Sequence, residues 1–141
     1  MPTIVVVPFP PSSPSTPTAV NYELEINRRN TTAYIESDPT DLRFNARERV
    51  SDGEGGHVWQ DGELLPAQRV RIVTLRSTRG SVERTNVDGE VVQPECMVIL
   101  EWDAAVEEGW TFMYDEREWE VVFVTDDFNG RYQKHAEVVS R

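Results

Sequence analysis

Lysine is almost missing from this chain: of its 14 basic residues only Lys134 is a lysine, and the rest are arginines. Cysteine occurs once, at Cys96, which excludes an internal disulfide. Histidine occurs twice, at His57 and His135, so a zinc site would need Cys96 and acidic side chains as well, and they show no recognisable ligand spacing. No apolar run approaches the roughly 18 residues needed to span a membrane. The opening "TIVVVPF" is shorter still and lacks the basic leader and small-residue cleavage site of a signal peptide, so the expectation is a protein made in the cytoplasm with no membrane partner. Bases are scarce and unevenly placed. Against 25 acids they leave a net charge of −11. Residues 1–84 hold 11 acids and 10 bases, a balance of −1, and residues 85–141 hold 14 acids and 4 bases, a balance of −10. A protein that grips phosphates is normally basic, and the second half of this one would repel DNA.

What is present reads as strands. The 141 residues suffice for one domain with a modest core. Residues 7–20, "VPFPPSSPSTPTAV", carry five prolines and read as an extended arm. "NYELEI" and "TTAYIES" alternate and are expected as strands. After Asp38-Pro39, "TDLRFNARERV" sets Leu42, Phe44 and Ala46 on one face and Arg43, Asn45 and Arg47 on the other. "GGHVWQDGELLPA" supplies two turn signals, Gly55-Gly56 and Asp61-Gly62, around a short strand. "AQRVRIVTL" follows as a strand. The polar stretch Arg76–Glu95, with Gly80 and Asp88-Gly89, reads as a long loop or protruding hairpin. "CMVILEW", "WTFMY", "EWEVVFVT" and "RYQKHAEVV" are short strands set off by Glu108-Gly109, Asp115-Glu116 and Asn129-Gly130, and "DAAVEE" is a helical turn at most. The predicted fold is all-β, a small antiparallel barrel or barrel-like sandwich, with a Pro-rich N-terminal arm over 1–30 and the barrel domain over 31–141.

Several chemistries can be weighed residue by residue. "SDGEGGHVWQDGE" has neither the GxxxxGK[ST] pattern of a phosphate loop nor the spacing of a calcium loop. Cys96 opens an apolar strand with no helix N-terminus to activate it, so it reads as a buried hydrophobe rather than a nucleophile paired with His135. Carboxylate pairs are everywhere in so acidic a chain and signal nothing. Trp102, Trp110, Phe112, Trp119 and Phe123 could stack bases, but base-stacking surfaces interleave with cations and only Arg117 is near, so a packed barrel core is expected. Arginines 69, 71, 76, 79 and 84 form the one basic cluster, either a solvated strand face or an interface to an acidic partner or DNA phosphate. No catalytic, metal or cofactor residue is assigned.

Residues 33–73 resemble head-closure proteins, or head-to-tail stoppers, of long non-contractile-tailed phages. The shared pattern is Asp38-Pro39, the alternating "LRFNARERV", the "DGEGG" turn, Trp59 and "PAQRVRI". The ending, "MVILEWDAAVEEGWTFMYDEREWEVVFVTDDFNGRYQKHAEVV", is similar to that family's closing pattern of an apolar strand, a "WDA" turn, an aromatic strand and a final "AEV" strand. The chain departs from the pattern with Gly109-Trp110 where the family usually has glycine-aspartate, and with Arg131-Tyr132 before the last strand. The resemblance covers roughly residues 33–141, and the arm lies outside it. A tail terminator or another head–tail joining protein is the nearest alternative, and a monomeric β-barrel module for a peptide or small ligand is the alternative from another class.

The resemblance implies a structural virion protein, not an enzyme, assembled in the host cytoplasm into the head–tail interface. Its implied partners are itself, as a hexameric or dodecameric ring, the portal and adaptor rings above, the tail terminator or tail tube below, and packaged double-stranded DNA in the channel. Three groups of residues are the candidates for those roles. Arg76, Arg79 and Arg84 are candidates for a channel-closing loop that holds the DNA end. Asp52, Gly53, Gly55, Gly56, Trp59, Asp61 and Gly62 would form an inter-subunit or inter-ring hairpin. Pro8, Phe9, Pro10, Pro11, Pro14 and Pro17 would form an arm that lies along a neighbour.

Overall fold

The computed structural model describes residues 18–75, 83–126 and 131–141. The Pro8–Pro17 arm, Arg76, Arg79 and the Asn129-Gly130 turn fall outside them. One helix, α1 (Thr18–Glu36), precedes ten strands: β1 (Thr40–Leu42), β2 (Phe44–Ser51), β3 (His57–Leu64), β4 (Gln68–Thr74), β5 (Arg84–Thr85), β6 (Val91–Val92), β7 (Cys96–Glu101), β8 (Thr111–Tyr114), β9 (Arg117–Asp126) and β10 (Gln133–Ser140). Eight strands make one antiparallel sheet in the order β1-β4-β7-β10-β9-β8-β2-β3, and β5 pairs only with β6.

The sheet curls because β1 and β2 are one strand interrupted at Arg43. β1 pairs with β4 through Leu42↔Gln68, while β2 pairs with β8 through Phe44↔Phe112. Two adjacent segments thus serve opposite margins of the sheet, which makes it barrel-like, as the strand spacing predicts. The core lies inside this curl. Leu42, Phe44, Val70, Val98, Leu100, Phe112, Trp119, Val121, Ala136 and Val138 form one cluster, with a contribution from every strand around the barrel. Phe112 meets Phe44 edge-on at 5.4 Å and lies parallel to Trp119 at 6.5 Å. Beyond Asn45, β2 leaves the barrel and continues with β3 as a long hairpin.

The N-terminal region departs from expectation. "NYELEI" and "TTAYIES" are not strands but parts of α1, and the domain boundary drawn after residue 30 falls inside that helix. The alternation of Tyr22, Leu24 and Ile26 resembles a strand locally, yet the helix packs through a different set. Thr31 and Ile35 are buried, one turn apart, and Arg28 precedes them on the same face. Because two of these three are polar, no apolar helical stripe is visible in the sequence. The β-branched Thr31 is accommodated by donating to the Asn27 carbonyl at 3.0 Å, and Thr32 donates to Glu101 of β7 at 2.8 Å. Asp38-Pro39 ends the helix, since the residue before proline disfavours helical backbone. No helix among the described residues is long and apolar enough to cross a membrane.

Candidate functional site

The hairpin "SDGEGG" is closed by its own aspartate. The Asp52 carboxylate accepts the N–H groups of Glu54 at 2.7 Å and Gly56 at 3.0 Å, and Asp52 N–H donates to the Gly56 carbonyl at 3.1 Å. Gly53 and Gly55 take the left-handed backbone that this path requires, at φ +84° and +86°. A loop that cradles phosphate offers free N–H groups; here Asp52 occupies two of them and adds a negative charge. Asp61-Gly62, expected as a second turn, instead lies within β3. It sits at a bulge, where the pairing steps from Ala46↔Glu63 to Glu48↔Gln60. A side chain at Gly62 would collide with the Ala46 carbonyl oxygen, so glycine is required there by close backbone approach.

Around the hairpin base lies a buried charged cluster. Arg47 faces the side of the strand that the sequence predicts, with Asn45, but that side is covered rather than solvated. Its guanidinium Nε donates to the Gly109 carbonyl at 2.6 Å, and its plane stacks on Trp59 at 4.0 Å. Its Nη2 is 3.7 Å from Glu120 Oε2, with the two side chains 8% and 6% exposed. Neither of those two atoms has a hydrogen-bond partner. Burial pushes the Glu120 carboxyl above its ordinary range, against the opposing pull of Arg141 and Arg47, and burial likewise lowers Arg47. Gly109, at φ +92°, makes this packing possible, because a Cβ there would lie 2.5 Å from the Trp59 ring. The adjacent Trp110 packs against Phe44 at 6.1 Å and adds an aromatic contact to the core.

The polar stretch is tied down where it is described. β5 and β6 form a small hairpin whose turn repeats the chemistry of the first. The Asn86 side-chain oxygen accepts the N–H groups of Asp88 at 3.0 Å and Glu90 at 2.9 Å, and Gly89 has φ +87°. Trp59 Nε1 donates to Asp88 at 3.1 Å, and Arg49 donates to the Val87 carbonyl at 2.6 Å. Arg84, assigned to hold DNA, makes a two-pronged pair with Glu137 at 3.1 and 2.8 Å and lies 3.8 Å over the Phe123 ring. It cannot grip a phosphate without giving up that pair. From Arg84 onward the stretch is therefore a docked hairpin rather than a loose connection.

Arginines 69 and 71 are also engaged. Arg69 bridges Glu36 and Asp41, and Arg71 lies over Tyr34 and donates to its carbonyl, so both hold α1 to β4. Phe112 and Trp119 are in the core as expected, but Trp102 and Phe123 are not. Trp102 is 38% exposed beneath Arg28, and Phe123 lies beneath Arg84. The strand phase on β9 explains the second case. Val122 is an extra residue between the pairs Val121↔Val138 and Phe123↔Glu137, and Phe123 shares the outer face with Glu137. Cys96 is half-buried against the core, and burial raises its thiol pKa.

One more feature was not visible in the sequence. The β2–β8 ladder consists of two pairs only, Phe44↔Phe112 and Asn45↔Thr111. Beside them lies a groove of about 640 Å³ whose lining includes Arg43, Leu64 and Met113 together with the acids Asp41, Asp61 and Glu118. No protein-family model matches this chain, and no curated protein matches it.

Proposed function

We propose that the protein is a structural component of the phage head–tail connector, a head-closure subunit. In this role it forms a ring beneath the portal and adaptor, closes the DNA channel after packaging and offers the tail its docking surface. It acts through interfaces in the virion, with no catalytic step and no cofactor. The observation that carries the proposal is the β2–β3 hairpin, which lies within the 33–73 part of the resemblance. It leaves the barrel as a paired ribbon whose turn is fixed by Asp52, and its exposed side chains include Glu48, Asp52, Glu54, Asp61 and Glu63 against Arg49 alone among the bases. Such a ribbon is stiff enough to reach a neighbouring ring, and its charge repels phosphate, so DNA can slide past without adhering. Arg84 is engaged by Glu137 and Arg76 and Arg79 lie outside the described residues, so the channel-facing role is proposed for this hairpin.

The test is DNA retention. Filled heads made without the protein should lose DNA, and adding it should restore retention together with a ring-sized increment in the portal complex. Equal retention with and without it would refute the proposal. A second reading, a monomeric module that binds a peptide, is favoured by the groove at the seam. It predicts a monomer that never joins portal complexes.

A further inference from the structure

The two ends of the barrel sheet are protected differently. β1, at one end, has three residues and follows Pro39. β3, at the other, has eight, and among the described residues it pairs with β2 alone. Its outer edge is a row of backbone groups open to another strand. Proteins usually blunt such an edge with proline, lysine, a bulge or a covering element. Residues 57–64 contain no proline and no lysine, and the bulge lies at Gly62. His57–Gln60 is therefore regularly paired strand with none of these guards on its outer side.

The direction of the open groups follows from the turn. Asp52 N–H donates to the Gly56 carbonyl, and hydrogen-bonded pairs alternate with non-bonded ones along an antiparallel ladder. Val58 and Gln60, opposite Val50 and Glu48, thus point their N–H and C=O groups toward β2, and His57 and Trp59 point theirs outward. The edge is also held in place, because the Trp59 side chain stacks under Arg47 and donates to Asp88. A strand already fixed in extended form loses little freedom when another strand pairs with it.

Charge decides what can pair. Every residue of β3 except Trp59 is exposed, and its only charged side chains at neutral pH are Asp61 and Glu63. A second copy would bring the same acidic ribbon on a chain of net charge −11, and the two would repel. A segment bearing lysine or arginine would be attracted. Acids at the edge thus reject one class of strand and admit the other.

We propose that the outer edge of β3 is the docking site for an extended basic segment of a different protein, added as a further strand beside His57–Asp61. Strand addition of this kind takes affinity from the backbone edge and selectivity from the side chains that flank it. The partner's place in a neighbouring ring rests on the connector role proposed above.

The test uses the full chain and a short acetylated peptide that alternates lysine with valine and threonine. Amide exchange with water is read residue by residue by NMR. The peptide should slow exchange at His57 and Trp59 at least about fivefold and leave Val58 and Gln60, already in the ladder, unchanged. The same peptide N-methylated along one edge keeps its charge but cannot pair, and it should have no effect. The joint substitution Asp61→Lys and Glu63→Lys, at exposed sites, should leave the thermal melt unchanged and abolish the response. Equal protection by the N-methylated peptide would reduce the effect to general charge attraction and overturn the proposal. So would protection at other strands, or none. Protection of His57 and Trp59 that rises with protein concentration alone would make a second copy the occupant and overturn it too. The connector role is separable. If the protein restores DNA retention but the peptide protects nothing, the edge site is wrong and the connector reading stands. If the peptide protects the edge but retention is never restored, the connector reading fails and the edge site stands.

Discussion

The β2–β3 and β5–β6 hairpins share a turn and differ in everything else. In each, an Asx side chain, Asp52 or Asn86, accepts the N–H groups two and four residues on, and a glycine three residues on takes a positive φ. The first hairpin has eight-residue strands and enters the barrel sheet through β2. The second has two-residue strands, joins no other sheet, and is held by side chains from β2, β3 and β10. A backbone ladder resists salt and pH; a set of charged side-chain contacts does not. The turn is therefore a local matter that sequence specifies, while how firmly a hairpin is fixed depends on what lies under it. Breaking the foundation, the junction, the turns and the outer clasp in succession probes that difference.

The foundation gives the largest effect. Trp119 lies in the core between Phe112 and Tyr114, and its Nε1 donates to the Tyr114 carbonyl at 2.9 Å. Trp119→Ala should cost about 3–5 kcal/mol, the range for a large buried aromatic. Both hairpins should lose hydrogen-exchange protection together, because both stand on the same barrel. A loss below about 1 kcal/mol in a denaturant melt would contradict the strand register.

The junction comes next. Arg47→Ala leaves Glu120 buried with only Arg141, 3.9 Å away, and should cost about 3 kcal/mol, the low end for breaking a buried pair. The second hairpin should loosen more than the first, because Trp59, which holds Asp88, loses the cation stacked on it. Glu120 also gives a pH signature. Its folded pKa is raised, so between the ordinary carboxyl value and that raised value the folded state binds more protons than the unfolded one. Its contribution therefore favours folding at low pH and is lost as pH rises through that window. The difference between parent and Glu120→Gln isolates that contribution. Parallel stability–pH curves for the two would show that Glu120 is not desolvated.

Much of the barrel could be anticipated because its strands are short runs, alternating as in "LRFNA" or continuously apolar as in "CMVILE", with turn residues between them. The helix could not, since its packed face is built from Arg28 and Thr31 as much as from Ile35. The turns were legible where the chemistry is local, as at Asp52, and misread where it is not. Asp61-Gly62 looks like a turn, and only the neighbouring Ala46 carbonyl makes it a bulge. The buried cluster was hidden because Arg47 and Glu120 are single charges among many. Only their partners, Gly109 and Trp59, distinguish them, and those lie 62 and 12 residues from Arg47. The roles of the arginines were hidden for the same reason. The cluster at 69, 71, 76, 79 and 84 reads equally as a solvated strand face or an interface, whereas those at 28, 47, 71 and 84 lie over aromatic rings and fasten helix, hairpin and insertion to the barrel.

The turns themselves sharpen the comparison. Asn86 is buried and accepts two N–H groups of its turn, so Asn86→Ala removes both bonds and leaves a gap under the turn, and should cost about 1–2 kcal/mol. Asp52 is exposed, so water replaces the lost carboxylate, and Asp52→Ala should cost only about 0.5 kcal/mol. Thermal melts of the two variants decide it, and equal costs would show that the second hairpin is no better covered than the first.

The outer clasp gives the smallest effect and the most direct discrimination. Arg84 and Glu137 are 27% and 15% exposed, so water and salt reach the pair and weaken it relative to a buried one. The pairing still holds the Arg84 guanidinium above its ordinary pKa, chiefly through the hydrogen bonds it donates to Glu137. Arg84→Ala removes both prongs and the contact over Phe123, yet leaves the Asn86 turn, the Arg49 contact and the Trp59 contact in place. The expected cost is about 1 kcal/mol, which corresponds to roughly fivefold faster exchange of the amides in residues 84–92 if they exchange by local opening. The amides paired between β2 and β3 should not change, because no side chain of that ladder touches Arg84. Salt should mimic the substitution: raising sodium chloride to about 0.5 M should speed exchange in residues 84–92 of the parent and have little effect on the variant. If the two hairpins respond equally to Arg84→Ala, they form a single cooperative unit, and the distinction between a hairpin held by its backbone and one held by its side chains fails.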